Sequence, residues 1–269
     1  MSAELIMLGT GSAFPRSSYN TCFVIRTPQF VWMTDAGGGN GIVGRLRETG
    51  TDVADVRHLF VTHTHTDHIL GTVWVIRSVI NLARWSGYEG RMTIYGNSDV
   101  ISAIDTICRL TLLESHYNMI DKLIDFHNTD EEPELALPGA RVSFFDCRSE
   151  GVRQTGFRMR LDTGMTIVCL GDESLTERNM AEATGADWLM CGAFCSYADR
   201  EIFKPYEKHH FTVRDVAEVA SGCGIKNLLL YHCEDSDPAR REERYRAEAR
   251  EYYAGNVFVP RDGDRIVIE

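Results

Sequence analysis

No apolar run in this sequence approaches the roughly 18–20 residues that span a bilayer, which argues against a transmembrane helix. The opening MSAELIMLG lacks the basic start and apolar core of a secretory leader, so a cytoplasmic protein is expected. Cysteine occurs eight times without a single CxxC pair, which excludes a disulfide framework and casts most thiols as small buried hydrophobes. Positive charge is also scarce: 28 Lys and Arg stand against 39 Asp and Glu, a net charge of −11. Proteins that grip nucleic acid by its phosphates carry the opposite balance, so a nucleic-acid partner is a poor fit and a small-molecule substrate a better one. The ARREERYRAEAR stretch alternates acids and bases at helical spacing, as a solvated helix face does. Repeats, low-complexity segments and composition breaks are missing too, and 269 residues with 43% hydrophobic content can bury one large core. A single domain over 1–269 is expected.

What is present is an alternation of strand and helix patterns. Residues 4–9, 21–27 and 29–34 have the composition of strands and suggest an antiparallel start. A short helix follows DAGGGNG, then a strand at 57–62, a helix from Ile69 through Leu82 and a strand at 91–95. Residues 98–125 read as one or two helices and TDEEPE as a polar connector. Strands are expected at 140–146, 156–162 and 165–170, the last two joined by the hairpin signal Asp162-Thr163-Gly164. The remainder alternates: helix 174–184, strand 187–191, helix 212–222, strand 227–231, helix 238–253, and short strands at 257–259 and 265–268. The pattern predicts an α/β protein, two mixed sheets with helices outside both.

VTHTHTDHILG, residues 61–71, places three histidines and an aspartate in six positions between a strand and a helix. His63 and His65, two apart, point the same way and can bind one cation, while Asp67 and His68 can turn toward a second. Imidazole nitrogen and carboxylate oxygen are ligands that zinc, manganese and iron accept. A lone histidine is better explained by core packing; this density is not.

HTHTDH, with the strand-end Asp35 before it, resembles the signature of the metallo-β-lactamase-fold hydrolases, and later elements of that family follow in order along nearly the whole chain. The resemblance implies a four-layer αββα sandwich and two divalent metal ions, zinc by family habit. LGD at 170–172 resembles the family's bridging aspartate, and LLLYHC at 228–233 its last ligand strand. By that likeness His63, His65 and Asp172 hold one metal, and Asp67, His68, Asp172 and His232 the other. Where the family has a further histidine this chain offers Glu150, with Asp146 or Cys147 as alternatives; a carboxylate there favours iron or manganese. KHHFTVRDVAEVA resembles the His-x-Thr element of the tRNase Z-like branch, which makes His210 the residue near the leaving group, with His209 its neighbour and Thr212 readable simply as a helix cap. The glycine-rich LGTGSAFP resembles the loop that borders the site in that branch. A homodimer is also implied.

The resemblance further implies a metal-dependent hydrolase in which the two cations acidify a bridging water and polarise the scissile oxygen. Asp67 then orients or deprotonates the nucleophile, His210 protonates the leaving group, and Asp35 fixes a ligand histidine's tautomer. Cys191, Cys195 and Cys233, near strand ends, are expected to be packing residues. The chain departs from tRNA-processing members in having only a short strand pair between Glu150 and Asp172, with no room for a long tRNA-gripping arm. The helical stretch 97–127 is either a packed helix pair or a lid over the substrate. The leading expectation is a hydrolase of a small phosphodiester, ester, lactone or sulfate ester. A tRNase Z-like endoribonuclease and a non-hydrolytic diiron redox or oxygen-handling protein are the alternatives.

Overall fold

The β-branched and aromatic runs at the start of the chain become three strands, β1 (Ala3–Gly9), β2 (Cys22–Arg26) and β3 (Val31–Thr34), paired antiparallel as expected. The computed structural model describes residues 3–268, which divide into two units, each with its own seven-stranded mixed sheet. In chain order the first unit continues with α1 (Gly41–Glu48), β4 (His58–Phe60), α2 (Thr66–Trp85), β5 (Met92–Gly96), α3 (Ser98–Thr111), α4 (Glu114–Tyr117), α5 (Ile120–Leu123) and β6 (Ile124–Asn128). The second contains β7 (Glu134–Leu137), β8 (Ala140–Asp146), β9 (Thr155–Leu161), β10 (Thr166–Cys169), α6 (Met180–Ala183), β11 (Trp188–Gly192), α7 (Arg200–Phe203), α8 (Val213–Ser221), β12 (Asn227–Tyr231), α9 (Pro238–Tyr252) and β13 (Asn256–Phe258). The last strand, β14 (Arg265–Ile268), returns to the first unit beside β1.

In the first unit the strand order is β14-β1-β2-β3-β4-β5-β6, parallel from β3 onward. Register sets Met33 beside Leu59 and Leu59 beside Ile94, so one sheet face is a continuous apolar surface. Helix α2 lays Ile69, Val73, Ile76 and Ile80 into the same core at three- and four-residue spacing. Trp32, fully buried, stacks on Tyr95 with centroids 5.1 Å apart. Removing a side chain of that size from a packed interior costs about 3–5 kcal/mol.

The second sheet runs β13-β12-β11-β10-β9-β8-β7; β10 to β13 are parallel, and the hairpin partners β9 and β10 meet at the predicted Asp162-Thr163-Gly164 turn. The charged stretch forms α9, whose Arg241, Tyr245 and Ala249 make a buried stripe while Arg246 and Glu242 pair on the outside at 3.0 Å. Among the described residues no helix is long and apolar enough to cross a membrane.

Three expectations are corrected. Helical spacing predicts helix through residue 125, yet Ile124–Asn128 is strand β6, because Ile124 and Phe126 fit beside Met92 and Ile94 of β5. The helix expected at 174–184 shrinks to α6: the Asn179 side-chain amide donates to the Ser174 carbonyl at 3.0 Å and its oxygen accepts from the Thr176 N–H at 2.9 Å, holding 174–179 as a loop. The connector also ends early, since Glu134 opens β7 opposite Ser143. Within 97–127, Ile104, Cys108, Ile120 and Leu123 enter the first unit's core, while Leu113 is exposed.

Candidate metal centre

Parallel strands deliver their carboxyl ends to one edge of a sheet, and functional side chains collect there. In the first unit that edge is made by β3 and β4. Asp35 follows β3, with its N–H donating to the Phe60 carbonyl at 2.8 Å, and Thr62 and His63 follow β4. His65 caps α2, so Asp67 and His68 lie in its first turn, where the helix dipole favours a carboxylate. The local fold thus turns the HTHTDH spacing into a convergent set. His63 Nε2 and His65 Nδ1 are 2.9 Å apart, and the His63 and His68 rings have centroids 4.2 Å apart. His68 Nε2 lies 3.2 Å from Asp67 Oδ2. His63, Asp67 and His68 are buried; His65 is exposed.

Behind these residues sits Asp35, in the left-handed conformation at φ 54°, which is uncommon for a side-chain-bearing residue. Its carboxylate accepts from the Thr62 N–H at 2.8 Å and the Thr62 hydroxyl at 2.9 Å, and contacts His68 Nδ1 at 2.8 Å. Burial holds the Asp35 carboxyl above its ordinary value, against the smaller opposing pull of His68 and Thr62. Thr62, whose Oγ1 is also 2.9 Å from His63 Nδ1, belongs to this network and was not singled out from sequence. Its only signal there was a polar residue between a strand and a histidine pair.

In the second unit Asp172 follows β10, Phe194 follows β11 and His232 follows β12. His232 is again left-handed, at φ 55°. His232 Nε2 is 3.5 Å from Asp172 Oδ2, and one ligand atom from each of Asp172, His210 and His232 lies within 4.8 Å of the others. The close approach depends on Gly192, since a Cβ there would fall 2.1 Å from the Asp172 carbonyl oxygen. Burial, with Asp172 adjacent, pushes the neighbouring Glu173 carboxyl up to about 7. The glycine-rich loop is stitched to the segment after His232. Gly11 bridges Cys233, and the N–H groups of Arg16, Ser17 and Ser18 donate to Asp235 Oδ2 at 2.7, 2.5 and 3.1 Å.

Glu150 stands outside this group. It is exposed, paired with Arg178 Nη1 at 2.8 Å and near His209 Nδ1 at 3.3 Å, and those two partners hold its carboxyl below the usual range. Asp146 is exposed and accepts from the Arg148 N–H at 2.7 Å; the buried Cys147 thiol donates to the Leu170 carbonyl at 3.5 Å. Thr212 is the cap of α8, reciprocated by Asp215 in a capping box. Cys191, Cys195 and Cys233 are buried, and burial raises their thiols to about 12, 12 and 11, as befits packing residues.

Each unit gathers imidazole and carboxylate groups of the kind that zinc, manganese and iron accept, and His63 Nε2 and His65 Nδ1 stand at hydrogen-bond distance from each other. Ribonuclease Z of Mycobacterium bovis (strain BCG / Pasteur 1173P2) is 24% identical over 98% of this chain and 98% of its own length. The fold matches the metallo-β-lactamase fold protein YhfI of Bacillus subtilis at TM-score 0.79, with 16% identity and coverage of 99% and 100%. Human tRNase Z, short form, matches at TM-score 0.74, with 21% identity and 98% of each chain covered. Residues 3–191, well over half of the chain, match the family described as anti-Pycsar protein Apyc1. The chain therefore belongs to that family, and its fold is the metallo-β-lactamase fold.

Proposed function

We propose that this metal-dependent hydrolase cleaves a small phosphodiester, with His63, His65, Asp67, His68, Asp172 and His232 together holding two divalent metal ions. The observation that carries the reading is the set of imidazole and carboxylate donors, all buried but His65, that follow the carboxyl ends of parallel strands in each unit, supported by family membership. When bound, such a pair supplies an acidified water and positive charge at the scissile oxygen. Asp67 orients that water or takes its proton; His210 gives a proton to the departing oxygen. Asp35 holds His68 in one tautomer by accepting from Nδ1. Zinc is the first choice by family; the oxygen-donor case for iron or manganese rested on Glu150, which is engaged with Arg178 and His209.

Phosphorus is favoured over carboxyl ester, lactone and sulfate centres because the curated relatives are ribonucleases, which cleave phosphodiesters. A small substrate is favoured over tRNA by two features. Only the β9–β10 hairpin lies between Thr155 and Cys169, and the net charge of −11 opposes a polyanion. The same relatives support an endoribonuclease as the second reading.

Metal analysis of protein purified without added metal, followed by a substrate panel, tests the proposal. The panel comprises chromogenic phosphodiesters, cyclic and linear nucleotide diesters, carboxyl esters, a lactone, sulfate esters and a precursor tRNA. Two divalent ions per chain and turnover of small diesters are expected. Cleavage of structured RNA alone would transfer the assignment to the endoribonuclease, and turnover lost only under anaerobic conditions would transfer it to iron–oxygen chemistry.

A further inference from the structure

The geometry assigns Phe194 as the positioning residue for His210. The Phe194 ring stacks on the His210 imidazole with centroids 5.3 Å apart and planes 21° from parallel, and the His210 ring is 5.1 Å from that of His232. Lys208 Nζ lies 4.7 Å from the Phe194 ring centroid.

The backbone of Phe194 ties both histidine segments to β11. Its N–H donates to the Phe211 carbonyl at 2.9 Å, one residue after His210, and its carbonyl accepts from the Glu234 N–H at 2.7 Å, two residues after His232. The Tyr245 hydroxyl donates to the same carbonyl at 3.0 Å. Cys195 then forms a parallel bridge with Thr212. The side chain is buried, so its ring has little freedom to leave the stack. An aromatic stack adds attraction beyond burial and restricts the plane of the ring it covers. Proton delivery is sensitive to that plane, since the donor must come within hydrogen-bond reach of the departing oxygen.

This inference rests on the proposed role of His210, and the test separates the two. Phe194→Leu, Phe194→Tyr and His210→Ala are assayed as metal-loaded enzymes on bis(p-nitrophenyl) phosphate and on diphenyl phosphate, whose phenolate is the poorer leaving group. Phe194→Leu should lower kcat on diphenyl phosphate by about 10-fold. KM should stay within 2-fold, the effect on the p-nitrophenyl substrate should be much smaller, and Phe194→Tyr should restore the wild-type value. Equal losses on both substrates, or wild-type kcat in folded Phe194→Leu, would overturn the positioning role. If His210→Ala shows no leaving-group dependence, the proton-delivery reading fails instead. Proton NMR of the imidazole then judges the stack on its own. An upfield ring-current shift of His210 that disappears in Phe194→Leu and survives in Phe194→Tyr supports it, and a shift unchanged by Phe194→Leu refutes it.

Discussion

Asp35 Oδ2 and His68 Nδ1 are 2.8 Å apart although 33 residues separate them in sequence. The contact leaves Nε2 as the nitrogen able to bind a cation, because one ring nitrogen carries the proton when the other is a ligand. Asp35→Ala should therefore lower metal affinity or activity by about 10- to 100-fold. Metal titration of the purified variant, alongside kcat/KM, checks this; unchanged metal binding would remove Asp35 from the centre.

Asp67 lies in the first turn of α2, buried and beside His68. Asp67→Ala should reduce kcat by about 100-fold or more, the usual scale for losing a general acid–base group. Full metal content combined with full turnover would refute both roles given to this carboxylate.

Glycine 192 has a steric purpose. Gly192→Ala places a methyl group against the Asp172 carbonyl and should cost about 1–3 kcal/mol of stability together with metal binding. Gly44→Ala in α1 is the control, because an added Cβ there meets nothing within 4 Å and helix propensity improves by up to about 1 kcal/mol. Thermal melts of the two variants should move in opposite directions.

Glu150→Gln should leave metal content unchanged, since its carboxylate is exposed and engaged with Arg178 and His209. Loss of one ion per chain in this variant would show that the residue ligates after all, and would revive the case for a harder metal.

His58 gives a pH prediction remote from the metal centre. Burial against Trp32 and Tyr95 lowers its pKa from 6.5 to about 4. The unfolded chain then binds the proton more readily than the folded one, so stability present above pH 6.5 is lost as pH falls toward 4. Partial exposure reduces the effect to roughly 1–2 kcal/mol. Chemical denaturation of wild type and His58→Phe between these limits should show a shallower acid dependence in the variant.

Much of this architecture is legible in local pattern. The runs at β1, β12 and β14 and the stretches that became α2, α8 and α9 announce themselves by alternation or helical spacing, with a cap at Thr212 and Pro238 at the start of α9. Failures occurred where a local pattern was ambiguous. The apolar residues of Ile124–Asn128 suit either element, and only the exposed edge of β5 makes them a strand. Residues 174–179 have helical composition, but Asn179 folds its amide back on the chain.

The amino-acid order by itself determined the donor chemistry: which imidazoles and carboxylates exist, how closely HTHTDH packs them, and that strand ends present Asp35, Asp172 and His232. Those are properties of neighbours along the chain, set by side-chain type and short-range backbone geometry. Tertiary structure alone decided that Asp35 reaches His68, that Gly192 admits Asp172, that Phe194 covers His210 and that Glu150 turns to Arg178. Each of these contacts joins segments distant in sequence, and the parallel order of strands that brings most of them together leaves no periodic trace in the residues themselves.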